Sequence, residues 1–267
     1  MASPYAGHAE DQWKEITNRL IAEHPLSKAD LLDASVEAWQ LIWQTTIGKG
    51  ELSVALADTD PPATVIGYFF EKLLARVLSK RFPGVWRGVA GKDEKDLVYI
   101  PDLSKSIEVK ASGQLGLKIF GNRSVGQTST TTRAAAKPEK SGFYLTVNFY
   151  ETTLTLLRFG WIDHSDWTGQ AAQTGQMAGL PSYVYEKKLV ALDGDYRLFA
   201  PVGLLNGVGE GKERLLADLG IRTIADLLGY AGNSRWVAAI KEVAARNYQF
   251  PRAEESTPAE GLLPLQD

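Results

Sequence analysis

The sequence of 267 residues contains no cysteine and only three histidines. The lack of cysteine excludes disulfides, and with the polar N-terminal segment AEDQWKEITNR it leads us to expect a cytoplasmic protein in a reducing compartment. No apolar run approaches the roughly 18 residues of a membrane-spanning helix, so we predict no membrane segment. His164 has no partner at a zinc-like spacing, and we interpret it as structural.

An excess of one charge is also lacking, since the formal net charge is only −3. Composition therefore does not indicate a nucleic-acid-binding protein, and any attraction to phosphate must come from local clusters. One basic cluster lies between residues 118 and 140, where Glu139 is the single acid among Lys118, Arg123, Arg133, Lys137 and Lys140. The cluster could contact DNA, or it could be a solvated loop.

The periodicity of apolar residues predicts helices first and strands later along the chain. Two amphipathic helices are expected between residues 8 and 48, broken at His24, and one long buried helix over 63–82. Strands are predicted at 96–100, 106–112, 142–151 and 153–163, with one or two more from Tyr183 to Phe199. Residues 113–141 are expected to form a long functional loop. This order indicates the α+β class.

The C-terminal quarter has a different pattern. Residues 201–250 are helical in character and punctuated by glycine, and the tail that follows is polar and rich in proline and glutamate. We therefore predict a main domain over residues 1–200 with a helical N-terminal lead-in, a small helical unit over 201–250 and a flexible tail over 251–267.

The strand predicted at 106–112 carries two charges on one face. Alternation puts Glu108 and Lys110 on the face opposite Ile107 and Val109. If the hairpin turns near Leu103, Asp96 lies opposite Lys110, and the three charged groups converge. Two nearby carboxylates repel each other unless a cation compensates them, so the group predicts a site for Mg²⁺.

Such a site fits the hydrolysis of a phosphodiester. Asp96 and Glu108 would be the metal ligands, while Lys110 would orient the attacking water and offset charge on the phosphate. Glu71, an acid embedded among apolar residues of the preceding helix, is a fourth candidate that could reach the metal or its water shell. The alternatives are a solvated Glu108–Lys110 ion pair and an exposed helix position for Glu71.

An acid two residues before a lysine occurs four times in the chain, so the spacing alone proves nothing. The other copies are Asp93/Lys95, Glu186/Lys188 and Glu210/Lys212. The Glu108 copy differs because it lies in a β-type run, with an acid-headed β-type run and an apolar helix carrying an acid before it.

The order of these elements resembles the core of the PD-(D/E)XK nuclease superfamily. In that core a helix is followed by one strand that bears an acid and by another that bears the E-x-K motif. The literal Pro101-Asp102 pair falls in the predicted turn, only five residues before Glu108, so Asp96 is preferred over Asp102 as the ligand. The stretches KDLVYIPDLSKSIEVKAS, KIFGNRS, SGFYLTVNFY and LRFGWIDHSDWTGQ look like the type II restriction endonucleases of the ScaI group, over about residues 10–190.

This resemblance implies a restriction-endonuclease-like core, a mixed β-sheet flanked by helices. It also implies Mg²⁺-dependent cleavage of both strands of a short site in double-stranded DNA. A palindromic site offers two equivalent half-sites, so a homodimer is expected.

Residues that could read bases follow the predicted catalytic strand. Arginine pairs well with guanine, and asparagine and glutamine pair well with adenine. Our hypothesis for DNA contact is the polar set Asn122, Arg123, Ser124, Gln127 and Arg133.

The segment LLNGVGEGKERLLADLGIRTIADLL resembles a helix-hairpin-helix motif. Gly207 and Gly209 would permit a tight turn whose backbone amides face a DNA phosphate. A P-loop would need Ser or Thr where Glu213 stands. The alternative is that these glycines only join two packed helices, as at a dimer contact.

Two other functions stay open at this point. A nuclease core could serve structure-specific DNA repair or junction processing, and a glycine hairpin that binds the DNA backbone would suit such an enzyme. A non-catalytic DNA-binding module is a third reading, which the presence of Asp96, Glu108 and Lys110 together disfavours.

Overall fold

A computed structural model gives the fold and describes residues 2–91, 93–121, 141–169 and 177–248. Within these ranges the α-helices are α1 (Trp13–Ala22), α2 (Lys28–Trp43), α3 (Ala63–Arg81), α4 (Glu210–Asp218), α5 (Ile224–Gly229) and α6 (Arg235–Asn247). The strands are β1 (Thr46–Ile47), β2 (Val54–Ala55), β3 (Trp86–Gly88), β4 (Leu97–Tyr99), β5 (Ile107–Gly113), β6 (Phe120–Gly121), β7 (Gly142–Tyr150), β8 (Thr153–Ile162), β9 (Thr168–Gly169), β10 (Ala178–Gly179) and β11 (Leu189–Ala191).

The central sheet has six strands in the order β11-β8-β7-β5-β4-β3. Strands β5 and β7 are parallel, and the other neighbours are antiparallel. Helices α1, α2 and α3 pack against this mixed sheet and share one hydrophobic core with it. The predicted α+β class with a restriction-endonuclease-like core is therefore confirmed.

Strand β7 lies in the middle of the sheet and is buried on both faces. Phe143, Leu145 and Val147 pack into the core shared with the helices, whereas Tyr144 points to the other face and packs against Trp167 in a second cluster. Burial on both faces explains why GFYLTVNFY is an almost continuous apolar run. Strands β7 and β8, both predicted from the sequence, are antiparallel neighbours.

Between Tyr183 and Phe199, where we predicted one or two strands, the chain has one short strand, β11, and two helical turns. Residues 184–188 form a π-helical turn, β11 has only three residues, and residues 195–199 form a 3₁₀ turn. The five-residue spacing of the π turn lets Tyr183 and Lys188 both reach the carboxylate of Asp166. In a strand, residues an odd number apart would point to opposite faces.

A three-stranded sheet, β6-β10-β9, stands beside the main one. Its strand β6 falls inside the segment 113–141 that we predicted as a loop, of which residues 122–140 lie outside the described residues. Beyond residue 200, helices α4 to α6 surround a separate cluster of buried residues between Ala200 and Ala244. None of the described helices combines the length and the apolar character needed to cross a membrane.

Candidate active site

Strand β5 presents Glu108 and Lys110 on one face, as alternation predicts. Both side chains are about one fifth exposed, and the Nζ of Lys110 lies 2.7 Å from the Oε1 of Glu108. Lys110 also donates to its neighbour's carbonyl, the O of Val109, at 3.0 Å. The neighbours Ile107 and Val109 are buried in the helix-facing core, so the two charged groups project from a rigid, packed strand.

Asp96 immediately precedes strand β4 and lies against the same part of β5. Its Oδ2 accepts a hydrogen bond of 2.8 Å from the backbone N–H of Val109. The expected partner was Lys110, but Leu97 pairs with Ile107, a register that puts Asp96 beside Glu108. The turn is centred near Asp102 rather than Leu103, and a shift of one residue in the turn moves the partner by two.

Burial and the charge of Glu108 raise the pKa of the Asp96 carboxyl to about 6. The charge of Glu71 contributes to the same rise, while the Lys110 ammonium and the Val109 amide oppose it. The ionised carboxylate is therefore held at a cost, which a bound cation would offset.

Asp102, the acid of the literal Pro-Asp pair, does not join this group. It is exposed and caps the short 3₁₀ turn Leu103–Lys105 by accepting a hydrogen bond of 2.9 Å from the amide of Ser104. The preference for Asp96 over Asp102 thus agrees with where the two side chains lie.

Glu71 lies on α3 and lines the same cleft as Lys110. This cleft of about 530 Å³ is bounded by the first half of α3, the second half of β5 and strand β6. The Oε1 of Glu71 is paired with the Nζ of Lys72 at 2.6 Å. Across the described part of the chain, no three acidic or histidine side chains are grouped closely enough to hold a metal ion by themselves.

Lys95 is a cation of this site that the sequence reasoning did not single out. Burial lowers its pKa to about 8, and the charges of Glu108 and Asp96 act against that shift. Its Nζ lies 3.4 Å from the carbonyl O of Phe143, in the space that a Cβ at Gly142 would occupy. Lys95 belongs to one of the four acid-x-lysine pairs of the sequence, Asp93/Lys95. Nothing in the sequence alone distinguished this pair from Glu186/Lys188 or Glu210/Lys212.

The remaining predicted contacts are only partly described. Asn122, Arg123, Ser124, Gln127 and Arg133 lie outside the described residues. Gly207 has a φ of +85°, and Gly209 is the N-cap residue of α4. The Nζ of Lys212 closes this hairpin by donating to the carbonyl O of Gly207 at 2.7 Å. The chain before the hairpin is a short 3₁₀ turn, Val202–Leu204, instead of a full first helix.

Comparison with known proteins gives two matches that agree. The family model described as ScaI restriction endonuclease matches residues 3–193. The curated Type II restriction enzyme ScaI of Streptomyces caespitosus is 36% identical over 199 residues, which cover 71% of this chain and 84% of that enzyme. No solved structure matches the chain. The family match ends before the helices α4 to α6, so it says nothing about them.

Proposed function

The chain belongs to the ScaI restriction endonuclease family, and from this premise we propose that it uses Mg²⁺ to hydrolyse both strands of a short palindromic site in double-stranded DNA. The observation that carries the proposal is the grouping of Asp96, Glu108 and Lys110 on adjoining segments of one sheet. A palindromic site implies two equivalent active sites, so we propose a cytoplasmic homodimer as the active form.

The donor set suits Mg²⁺. This ion prefers oxygen ligands, keeps several waters and is usually bound by one or two carboxylates together with substrate phosphate. Asp96 and Glu108 supply two carboxylates, and the pKa of Asp96 is raised first by burial and then by the charge of Glu108, a cost to the ionised form that a divalent cation would offset. When bound, the ion would supply charge neutralisation at the phosphate and a more acidic water.

The protein's own groups then have separate tasks. Asp96 and Glu108 would hold the ion, and the bond from the Val109 amide keeps Asp96 in place beforehand. Lys110, whose ammonium already lies at the Glu108 carboxylate, is positioned to orient the attacking water and to offset charge on the phosphate. Glu71 would bind waters around the metal from the opposite wall of the cleft.

Sequence reading is proposed for the polar side chains that follow the catalytic strand. Asn122, Arg123, Ser124, Gln127 and Arg133 carry the residue types that pair with guanine and adenine in the major groove. The test is binding of an inactive variant to cognate and scrambled duplexes. Arg123→Ala should weaken binding to the cognate duplex alone, and unchanged affinity for both would exclude it as a reader.

The glycine hairpin of residues 207–209 favours a second candidate, a structure-specific repair or junction nuclease. Backbone amides at the N-terminus of α4 would grip phosphate without reading sequence. Such an enzyme would depend on flaps or junctions in the substrate. A non-catalytic DNA-binding module would cut nothing.

One experiment separates these functions. Unmethylated genomic DNA of known sequence is digested with Mg²⁺, and the new ends are mapped by sequencing. We expect discrete fragments whose ends share one short palindromic sequence, and no cutting in EDTA. Glu108→Gln should remove the cutting, whereas Glu186→Gln, an exposed acid at the same spacing from a lysine, should not.

A further inference from the structure

Two buried polar side chains of the central sheet hold the backbone that follows β5. The Nδ2 of Asn148 donates to the carbonyl oxygens of Lys118 at 3.1 Å and Gly116 at 3.5 Å. The Nη1 of Arg158 donates to the carbonyl O of Leu117 at 3.3 Å and to the Oδ1 of Asn148 at 3.0 Å. Three successive carbonyl groups are thus bound by one side-chain pair.

A third side chain completes the arrangement. The hydroxyl of Tyr185 accepts a hydrogen bond of 2.9 Å from the amide of Ile119 and lies 3.5 Å from the carbonyl O of the same residue. The guanidinium of Arg158 lies over the Tyr185 ring, 5.1 Å from its centroid. We call Asn148, Arg158 and Tyr185 the loop clamp, because together they fix the path of residues 116–119.

The burial of polar side chains at these positions has a desolvation cost. Asn148 is fully buried and Arg158 is 9% exposed, and burial lowers the pKa of Arg158 to about 10, so it stays charged at neutral pH. Taking an amide and a guanidinium out of water carries a penalty that their hydrogen bonds only offset. What the polar pair adds over leucines is a defined conformation of the chain it binds.

That chain forms a wall of the cleft described above. Gln114 precedes the clamped residues and Phe120 and Gly121 follow them, and all three line the cleft with Lys110. Asn148 is the register partner of Ser112, two residues beyond Lys110 on the catalytic strand. The loop clamp therefore ties one wall of the cleft to the strand that carries the catalytic lysine.

We propose that Asn148, Arg158 and Tyr185 are positioning residues that hold this wall rigid and thereby set how well the enzyme discriminates its cognate site from sites with one changed base pair. The inference rests on the proposed function, and it assigns a role to side chains that do not line the cleft themselves. A wall that can shift would adapt to a near-cognate sequence. A fixed wall instead leaves a wrong base with unpaired polar groups, which is what rejects it.

The test uses full-length variants that break the clamp at single atoms. Tyr185→Phe removes only the hydroxyl that binds Ile119. Asn148→Asp keeps an acceptor for Arg158 but replaces the amide donor that binds the carbonyl of Lys118. Tyr196→Phe is the matched control, since its hydroxyl also bridges two backbone groups, the Leu157 amide at 2.9 Å and the Leu192 carbonyl at 2.8 Å, but does not touch residues 116–119.

Three quantities are measured for each variant. They are the Kd for the cognate duplex in Ca²⁺, the ratio of kcat/KM between the cognate site and sites with one changed base pair, and the hydrogen exchange of the Ile119 amide. For Tyr185→Phe and Asn148→Asp we expect the Kd to rise and the ratio to fall by roughly three- to tenfold each, as for the loss of one hydrogen bond, with kcat at saturation within about twofold. Faster exchange at Ile119 should accompany Tyr185→Phe, and Tyr196→Phe should leave all three unchanged.

The proposal is overturned if both clamp variants keep the wild-type discrimination ratio, as Tyr196→Phe is expected to do. The loop clamp would then only stabilise the fold. Should Asn148→Asp fail to fold, Tyr185→Phe decides alone. If the wild-type protein neither binds nor cuts any duplex, the proposed function is wrong. If the wild type cuts normally but the clamp variants discriminate as well as the wild type does, only the role of the loop clamp is wrong. The two failures are therefore distinguishable.

Discussion

The backbone amide of Val109 donates a hydrogen bond of 2.8 Å to the Oδ2 of Asp96. Val109 stands between Glu108 and Lys110, so this bond ties the Asp96 carboxylate to the strand that carries the other two charged groups. The peptide plane of a packed strand moves little, and Asp96 is therefore held in place by the fold itself. A site held in this way pays little ordering cost when substrate or metal arrives.

Asp96→Asn should lower the rate of DNA cleavage by at least about 100-fold, because a neutral amide is a poor ligand for a divalent cation. The affinity for DNA in Ca²⁺ should fall far less. Asp102→Asn is the control, as this exposed acid belongs to the literal Pro-Asp pair but only caps a 3₁₀ turn. Single-turnover kinetics on one duplex measure the cleavage rate of both variants. If the Asp102 variant lost cleavage and the Asp96 variant kept it, Asp102 and not Asp96 would be the metal ligand.

The same substitution should make the metal-free protein more stable at pH 8. Burial and Glu108 raise the pKa of Asp96 to about 6, above the value near 4 of an unfolded chain. The folded state therefore binds a proton more tightly, and the stability this group contributes is present below pH 4 and lost as the pH rises through 6. We expect Asp96→Asn to gain about 1 to 2 kcal/mol at pH 8 and almost nothing at pH 4.

Urea denaturation in EDTA at the two pH values measures this difference. The prediction fails if the variant is equally stable or less stable than the wild type at pH 8. A gain in stability with a loss of cleavage would be the behaviour expected of a residue kept for function.

Local periodicity was enough to predict part of the site. Glu108 and Lys110 share a face because residues two apart in a strand always do. The register of Asp96 was missed by two residues, since it depends on the 3₁₀ turn of residues 103–105, which alternation does not reveal. In the same way, a pattern of apolar residues predicted β7 and β8 but could not show that Asn148 and Arg158 bind a distant backbone.

The π turn of residues 184–188 was missed for a related reason. Tyr and Val favour strands, but the turn follows from a contact made far away in sequence, between Lys188 and the pair Asp163 and Asp166. Propensity is a weak signal when a buried charge must reach its partners. All five predicted base contacts fall within residues 122–140, outside the described residues, so that hypothesis stays a prediction.

Lys188→Met should destabilise the fold by about 3 to 5 kcal/mol. The Lys188 ammonium is buried at 2.8 Å from both Asp163 and Asp166, whose side chains are also buried, so its removal leaves two uncompensated carboxylates. Lys187→Met is the control, since its partner Glu10 is half exposed and the pair should contribute less than about 1 kcal/mol.

Equilibrium denaturation measures both losses. Adding Asp163→Asn and Asp166→Asn to Lys188→Met should recover part of the stability, because it removes the unpaired charges. Equal, small losses for Lys188→Met and Lys187→Met would show that the buried cluster contributes nothing beyond a surface pair.

Gly209→Ala should weaken the binding of DNA by roughly tenfold, and by the same factor for cognate and scrambled duplexes. Gly209 caps α4 in an extended conformation with open space around a new Cβ, so the fold tolerates alanine, while the methyl group stands before the amides proposed to face phosphate. Gly229→Ala, also in open space within the same helical unit, is the control. Gly207→Ala is less informative, because a φ of +85° adds backbone strain of about 1 kcal/mol.

Filter binding in Ca²⁺ at low salt gives the affinities of the Gly209→Ala variant for cognate and scrambled duplexes. The ratio between these affinities should stay constant, in contrast to the loop clamp variants. If Gly209→Ala and Gly229→Ala both bind as the wild type does, the hairpin only joins two packed segments and its proposed contact with phosphate is wrong.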